Sequence, residues 1–162
     1  MKILLGVDGS PFSEEAIDEV IQHYWPAGTE IRVICVAHAG LLAEWPDPIF
    51  GGLRLEALEA ERKHAQATMD KALAKLQAEM TNKEVTLTST VLEGSPKKLI
   101  LEEADKWGAN LIVIGSHGRG AIARTFLGSV SLAVASQAKC SVKIVRNPPV
   151  PAVLDESFYR NK

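Results

Sequence analysis

Apolar residues recur along this chain with two different periods. Short β-branched runs at Lys2 to Val7, Glu30 to Ala37, Glu84 to Leu92, Leu111 to Ile114 and Ser141 to Arg146 alternate with longer stretches of helical period. That alternation predicts a single α/β domain, with five parallel strands forming an open sheet and four helices covering both of its faces. The first run is apolar without interruption, as a strand buried on both faces should be. The last is edge-like.

Helix starts are marked twice by the same device. Ser10-Pro11 and Ser95-Pro96 each offer a capping hydroxyl followed by a residue with no amide to orphan and a φ already suited to the first turn. The predicted helices run to about Tyr24 and to Trp107-Gly108. Between Leu53 and Met80 there is neither glycine nor proline, and Leu55, Leu58, Arg62, Ala65, Met69, Ala72 and Leu76 follow at three- or four-residue steps. This predicts one long amphipathic helix. A fourth helix is expected from Ser129 to about Lys139. His38 to Gly52, broken by glycine and proline around Trp45, reads as a long loop. From Asn147 onward three prolines precede Leu154, so residues 147–162 are expected to be a surface tail.

Composition narrows the class. Of the 162 residues 46% are hydrophobic and 23% charged, values typical of globular chains. A formal net charge of −2 provides no cationic surface for nucleic acid. No stretch reaches membrane-spanning length, and Asp8 interrupts the opening apolar run too early for a signal peptide, which points to the cytoplasm. Cys35 and Cys140 each sit in apolar surroundings and read as small buried hydrophobes rather than a disulfide. His23, His38 and His64 read as surface residues.

The densest chemistry lies at Gly115-Ser116-His117-Gly118-Arg119-Gly120 and, after Ala121 to Leu127, at Gly128-Ser129-Val130. A glycine-rich turn between a buried strand and a helix suits a phosphate. The helix N-terminus offers unpaired amides and the positive end of a dipole, and glycine lets an anion approach the backbone. Ser129 adds a hydroxyl and is a candidate cap. His117, Arg119 and Arg124 could neutralise phosphate charge or simply be solvated. There is no Gly-x4-Gly-Lys-Ser/Thr loop, and Gly118-x-Gly120-x-x-Ala123 fits a dinucleotide fingerprint poorly, since it does not follow the first strand. No cysteine or second histidine nearby supports a metal site.

The spacing Gly115-x2-Gly118-x9-Gly128-Ser129 resembles that of the ATP-binding universal stress proteins. The resemblance extends to Val7-Asp8-Gly9-Ser10 and to Cys140-Ser141-Val142, and covers residues 1–146. It implies a Rossmann-like sheet of the adenine nucleotide alpha-hydrolase-like type, with strand order 3-2-1-4-5. It further implies adenine near Val7, Asp8 and Val36, and the triphosphate along Gly115, Ser116, Gly118, Arg119, Gly128, Ser129 and Val130, with any Mg carried by the nucleotide. Asp8 would accept a ribose hydroxyl; alternatively it caps the Asp8-Gly9-Ser10 turn, as aspartate often does.

Donors are plentiful but no general base is evident, so ATP binding with slow or no hydrolysis is expected, and a low-rate Mg-dependent ATPase is the alternative. A phospho-receiver would need clustered acids at Asp8. An adenylating or pyrophosphatase enzyme would need a longer phosphate loop there, without Pro11. The resemblance also implies a homodimer paired through the last strand. Ser141, in place of the family's proline, supplies a donor for such pairing, whereas Lys143 is a charge of the kind that discourages it.

Overall fold

The computed structural model describes residues 1–38, 51–82, 84–119 and 127–146, and of 51–54 the backbone alone. Five strands, β1 (Lys2–Val7), β2 (Glu30–Ala37), β3 (Thr86–Glu93), β4 (Leu111–Gly115) and β5 (Ser141–Val145), form one sheet in the order β3-β2-β1-β4-β5. Every pairing is parallel. Around it lie α1 (Pro11–Gln22), α2 (Gly51–Glu79), α3 (Pro96–Trp107) and α4 (Ser129–Gln137). The expected strand order and both helical layers are present.

Strand parity explains the uninterrupted apolar runs. Ile3, Leu5 and Val7 of β1 join Ile31, Val33 and Cys35 of β2 beneath α1 and α2, while Leu4, Ile34, Val36, Ile112 and Ile114 join Ile100, Ala104 and Val134 beneath α3 and α4. Successive side chains therefore enter opposite cores, and the one charged residue inside β2, Arg32, is half-buried and paired with Glu103 of α3 (2.5 Å). β1 lies between β2 and β4, so the direction of winding reverses between β1 and β4.

Several boundaries differ from expectation for local reasons. α1 stops at Gln22, not Tyr24, where Trp25 is buried and its indole N–H donates to the carbonyl of Val20 (2.8 Å), satisfying a C-terminal orphan. β3 begins at Thr86, because Glu84 N–H is turned onto the Asn82 side chain (2.9 Å). α4 ends at Gln137, with Ala138 already extended. The apolar stripe of α2 is buried only from Ala65 onward, through Met69, Ala72 and Leu76; Leu55 is 65% exposed. Arg62 explains this, since it pairs with Glu93, the last residue of β3, so the helix upstream has passed the end of the sheet. Cys35 is buried, but Cys140 is only half-buried at the margin of the second core, and His38 is half-buried while His23 and His64 are exposed. The expected loop at 38–52 and the tail at 147–162 fall largely or wholly outside the described residues.

Candidate functional site

The sequence-predicted residues converge on the carboxyl ends of β1 and β4, where an open α/β sheet binds its ligand. There a small cavity of about 110 Å³ is lined by Val7, Asp8, Val36, Gly115, Gly118 and Val130, all of them expected site residues. Its apolar wall is completed by Ile34, Ile100 and Ile114, with Pro96 at the start of α3 and Ser131 in the first turn of α4. Gly6 opens the space from below, because a Cβ there would lie 2.8 Å from Ile114 Cγ2. The hydrophobic pattern indicates that these residues are buried but not that they surround a space.

The glycines answer mainly to their own chain. A Cβ on Gly115 would lie 2.5 Å from the Phe12 carbonyl oxygen, so this glycine lets β4 end against the first turn of α1. A Cβ on Gly118 would lie 2.8 Å from Asp8 Oδ2, and one on Gly128 would lie 3.2 Å from both Ser116 O and His117 Cα. Gly128 N–H donates to Ser116 O (2.8 Å), which draws the two halves of the split loop together. A Cβ at Gly128 would therefore need this backbone to give by a few tenths of an ångström.

Gly128, not Ser129, is the N-cap of α4, and Ser129 is its exposed first residue. The first bond of that helix runs from Leu132 N–H to Gly128 O, so the amides of Ser129, Val130 and Ser131 precede the ladder, at the positive end of the dipole. Ser131 is buried and donates to Gly115 O (2.8 Å), fixing this turn against β4. Ser116 is also buried, beside His117 Nδ1 (3.1 Å), and the His117 ring packs on Phe12 at 5.0 Å between centroids. His117 is thus a packed residue, and Arg119 is the arginine of the loop among the described residues. Arg124 lies outside the described residues.

Asp8 fills the turn role foreseen as its alternative. Its Oδ1 accepts from Ser10 N–H (3.0 Å), and its Oδ2 accepts from Arg119 N–H (3.1 Å) across the switch point. An ionised carboxylate has about four lone-pair directions, so two bonds leave capacity for a ligand hydroxyl. Three polar residues of α2 that were not foreseen as site residues stand above this turn. Glu61 receives the Arg119 guanidinium (2.7 and 3.4 Å), His64 Nε2 lies 3.5 Å from the Asp8 carbonyl oxygen, and Thr68 lies beside Gly9. The bonded Glu61 carboxylate holds Arg119 even further above the usual guanidinium range. Burial first, and the Asp8 charge second, push the Cys35 thiol up to about 11. Among the described residues no three His, Cys, Asp or Glu side chains are grouped to share a metal ion, and no helix is long and apolar enough to cross a membrane.

Known proteins share this fold. The solved universal stress protein UspA of Lactobacillus plantarum superposes with a TM-score of 0.76 at 24% identity, covering 90% of this chain and 97% of that one. A universal stress protein in complex with cAMP gives 0.62 at 23% identity, covering 90% of this chain and 96% of its own. The Arabidopsis thaliana family member At3g01520 with AMP bound gives 0.63 at 15% identity, covering 97% and 98%. In sequence, universal stress protein MJ0531 of Methanocaldococcus jannaschii is 31% identical over 147 residues, which is 91% of this chain and 82% of the relative. Several other relatives, such as Rv2005c of Mycobacterium tuberculosis, are about twice as long, and the chain spans 45% of that one. The family model described as the Universal stress protein family matches residues 1–146, so the chain belongs to the universal stress protein family.

Proposed function

We propose that this chain binds ATP at the β1/β4 switch point and acts as a nucleotide-dependent regulatory module, with slow or no hydrolysis. The observation that carries this reading is one cavity lined both by Asp8 and by the first turn of α4. The apolar wall of Val36, Ile34 and Ile114 suits a purine. Asp8 suits a ribose hydroxyl, and the amides of Ser129 to Ser131 with Arg119 suit phosphate oxygens. The cAMP and the AMP held by two structural neighbours support the ligand class. The cavity volume of about 110 Å³ is below the roughly 300 Å³ of a full ligand pocket, so the phosphates belong on the open loop side.

Turnover is expected to be slow because Asp8 is the one acid among the described residues lining the cavity, and its two oxygens already hold its own turn and the glycine loop. A magnesium ion would arrive with the nucleotide. The reading includes a cytoplasmic protein and a homodimer through β5, an edge strand whose Lys143 is drawn aside to Glu19 of α1, leaving the backbone edge clear of that charge.

Denaturing the purified protein and analysing the supernatant by mass spectrometry should release an adenine nucleotide, and calorimetry on the stripped protein should register ATP. Neither result appearing would sink the proposal. A metal-dependent turnover within the roughly 1 to 1000 per second of ordinary enzymes, lost in Asp8→Ala, would replace it with an ATPase.

A further inference from the structure

The site contains its own counter-anion. Arg119 bridges two acids: its backbone N–H donates to Asp8 Oδ2 (3.1 Å), and its guanidinium makes a two-pronged contact with Glu61 (2.7 and 3.4 Å). Glu61 comes from α2, where Glu61, His64 and Thr68 follow at helical spacing along the side that overlooks the β1 turn. Among the described residues the Glu61 side chain has Arg119 as its bonding partner, and the pair is partly withdrawn from solvent, with side chains 26% and 37% exposed. A guanidinium fork fits a carboxylate or a phosphate with the same geometry, and cannot grip both with the same donors.

Resting on the reading of this cleft as a nucleotide site, we infer that Glu61 is a competitor for Arg119 that only a polyphosphate displaces, making the residue a determinant of selectivity for ATP over AMP. A ligand with one phosphate faces an arginine whose charge is already balanced. A triphosphate carries enough charge, spread over enough oxygens, to take the fork. Glu61 is then released, and α2 loses one of its ties to the glycine loop. Phosphate number is thereby converted into a change at a helix that lies outside the loop itself.

Calorimetric titration of wild type, Glu61→Gln, Arg119→Gln and the double variant with ATP and with AMP tests this. Removing the competitor should tighten ATP about fivefold and leave AMP within about twofold, the scale of one partly exposed ion pair. Arg119→Gln should weaken ATP, and adding Glu61→Gln to it should change nothing further. Unchanged or weaker ATP binding by Glu61→Gln would overturn the inference, because Glu61 would then be a bystander or would hold Arg119 ready for the ligand. An equal gain for AMP would overturn the selectivity role. If wild type binds ATP and Glu61→Gln behaves this way, only the inference falls. If wild type binds no adenine nucleotide, the reading of the site falls with it.

Discussion

The chain writes nearly the same turn twice and uses it differently. Asp8-Gly9-Ser10-Pro11 links β1 to α1, and Glu93-Gly94-Ser95-Pro96 links β3 to α3. Both glycines take positive φ, 79° and 139°, and both prolines stand at the start of the helix. Beyond that they diverge. Ser10 is buried, accepts from Ser13 N–H (3.2 Å) and donates to His117 O (3.4 Å), whereas Ser95 makes no side-chain cap bond. The aspartate is short enough to fold back onto the amide two residues on, while Glu93 reaches outward to Arg62. Position in the sheet accounts for the divergence. β1 is central, so its turn faces the loop after β4; β3 is an edge strand, and its turn is tied by Gly94 N–H to the end of β2 at Ala37 O (3.1 Å).

Perturbing the two turns in parallel should separate them widely. The largest effect is expected beside the first: Gly115→Ala sets a methyl 2.5 Å from the Phe12 carbonyl and should destabilise the protein by about 2 to 3 kcal/mol in denaturant melts. Next comes the cap pair, where Ser10→Ala should lose about 1 kcal/mol and Ser95→Ala under about 0.5 kcal/mol. Equal losses would show that the Ser10 bonds add nothing beyond local helix initiation. Arg62→Ala, which cuts the Glu93 pair on the open surface, should leave the melting midpoint where it was.

The smallest effect is a matter of charge. Asp8 helps raise the Cys35 thiol after burial has done most of it, so Asp8→Asn should lower that thiol slightly from about 11, and Glu93→Gln should not move it. Thiolate absorbance against pH in a Cys140→Ser background reads this directly. The sign for stability follows. A thiol ionising near 9.0 when unfolded and near 11 when folded keeps its full contribution below pH 9.0, and loses it as pH rises toward 11.

Element type was legible because parity and helical period are set by burial, and burial of both sheet faces leaves continuous strands unmistakable. Strand order came from the resemblance, since pairing between distant segments leaves no periodic trace. The glycines were legible as positions, but the protein atoms that crowd each of them were not. Spacing marks where a side chain is intolerable, not whether Phe12, Asp8 or a phosphate makes it so. Glu61, His64 and Thr68 were missed for a related reason. The long helix shows an apolar stripe that orients it, but its polar face looks the same over solvent as over a cleft. The i, i+3, i+7 spacing of those three residues was the available hint, and it becomes informative only once Arg62 and Glu93 show where the sheet ends.

The register of β1 also dictates when the protein can finish assembling. Ile3 pairs on one side with Ile31, and on the other with Leu111. On the ribosome, at about 5 to 20 residues per second, the central strand therefore waits several seconds with one bare edge before its second neighbour emerges. Its apolar side chains toward α3 and α4 wait with it, since Val134 arrives later still. The nascent chain is most in need of shelter during synthesis of its middle third, while α2 is being made and the fourth strand does not yet exist.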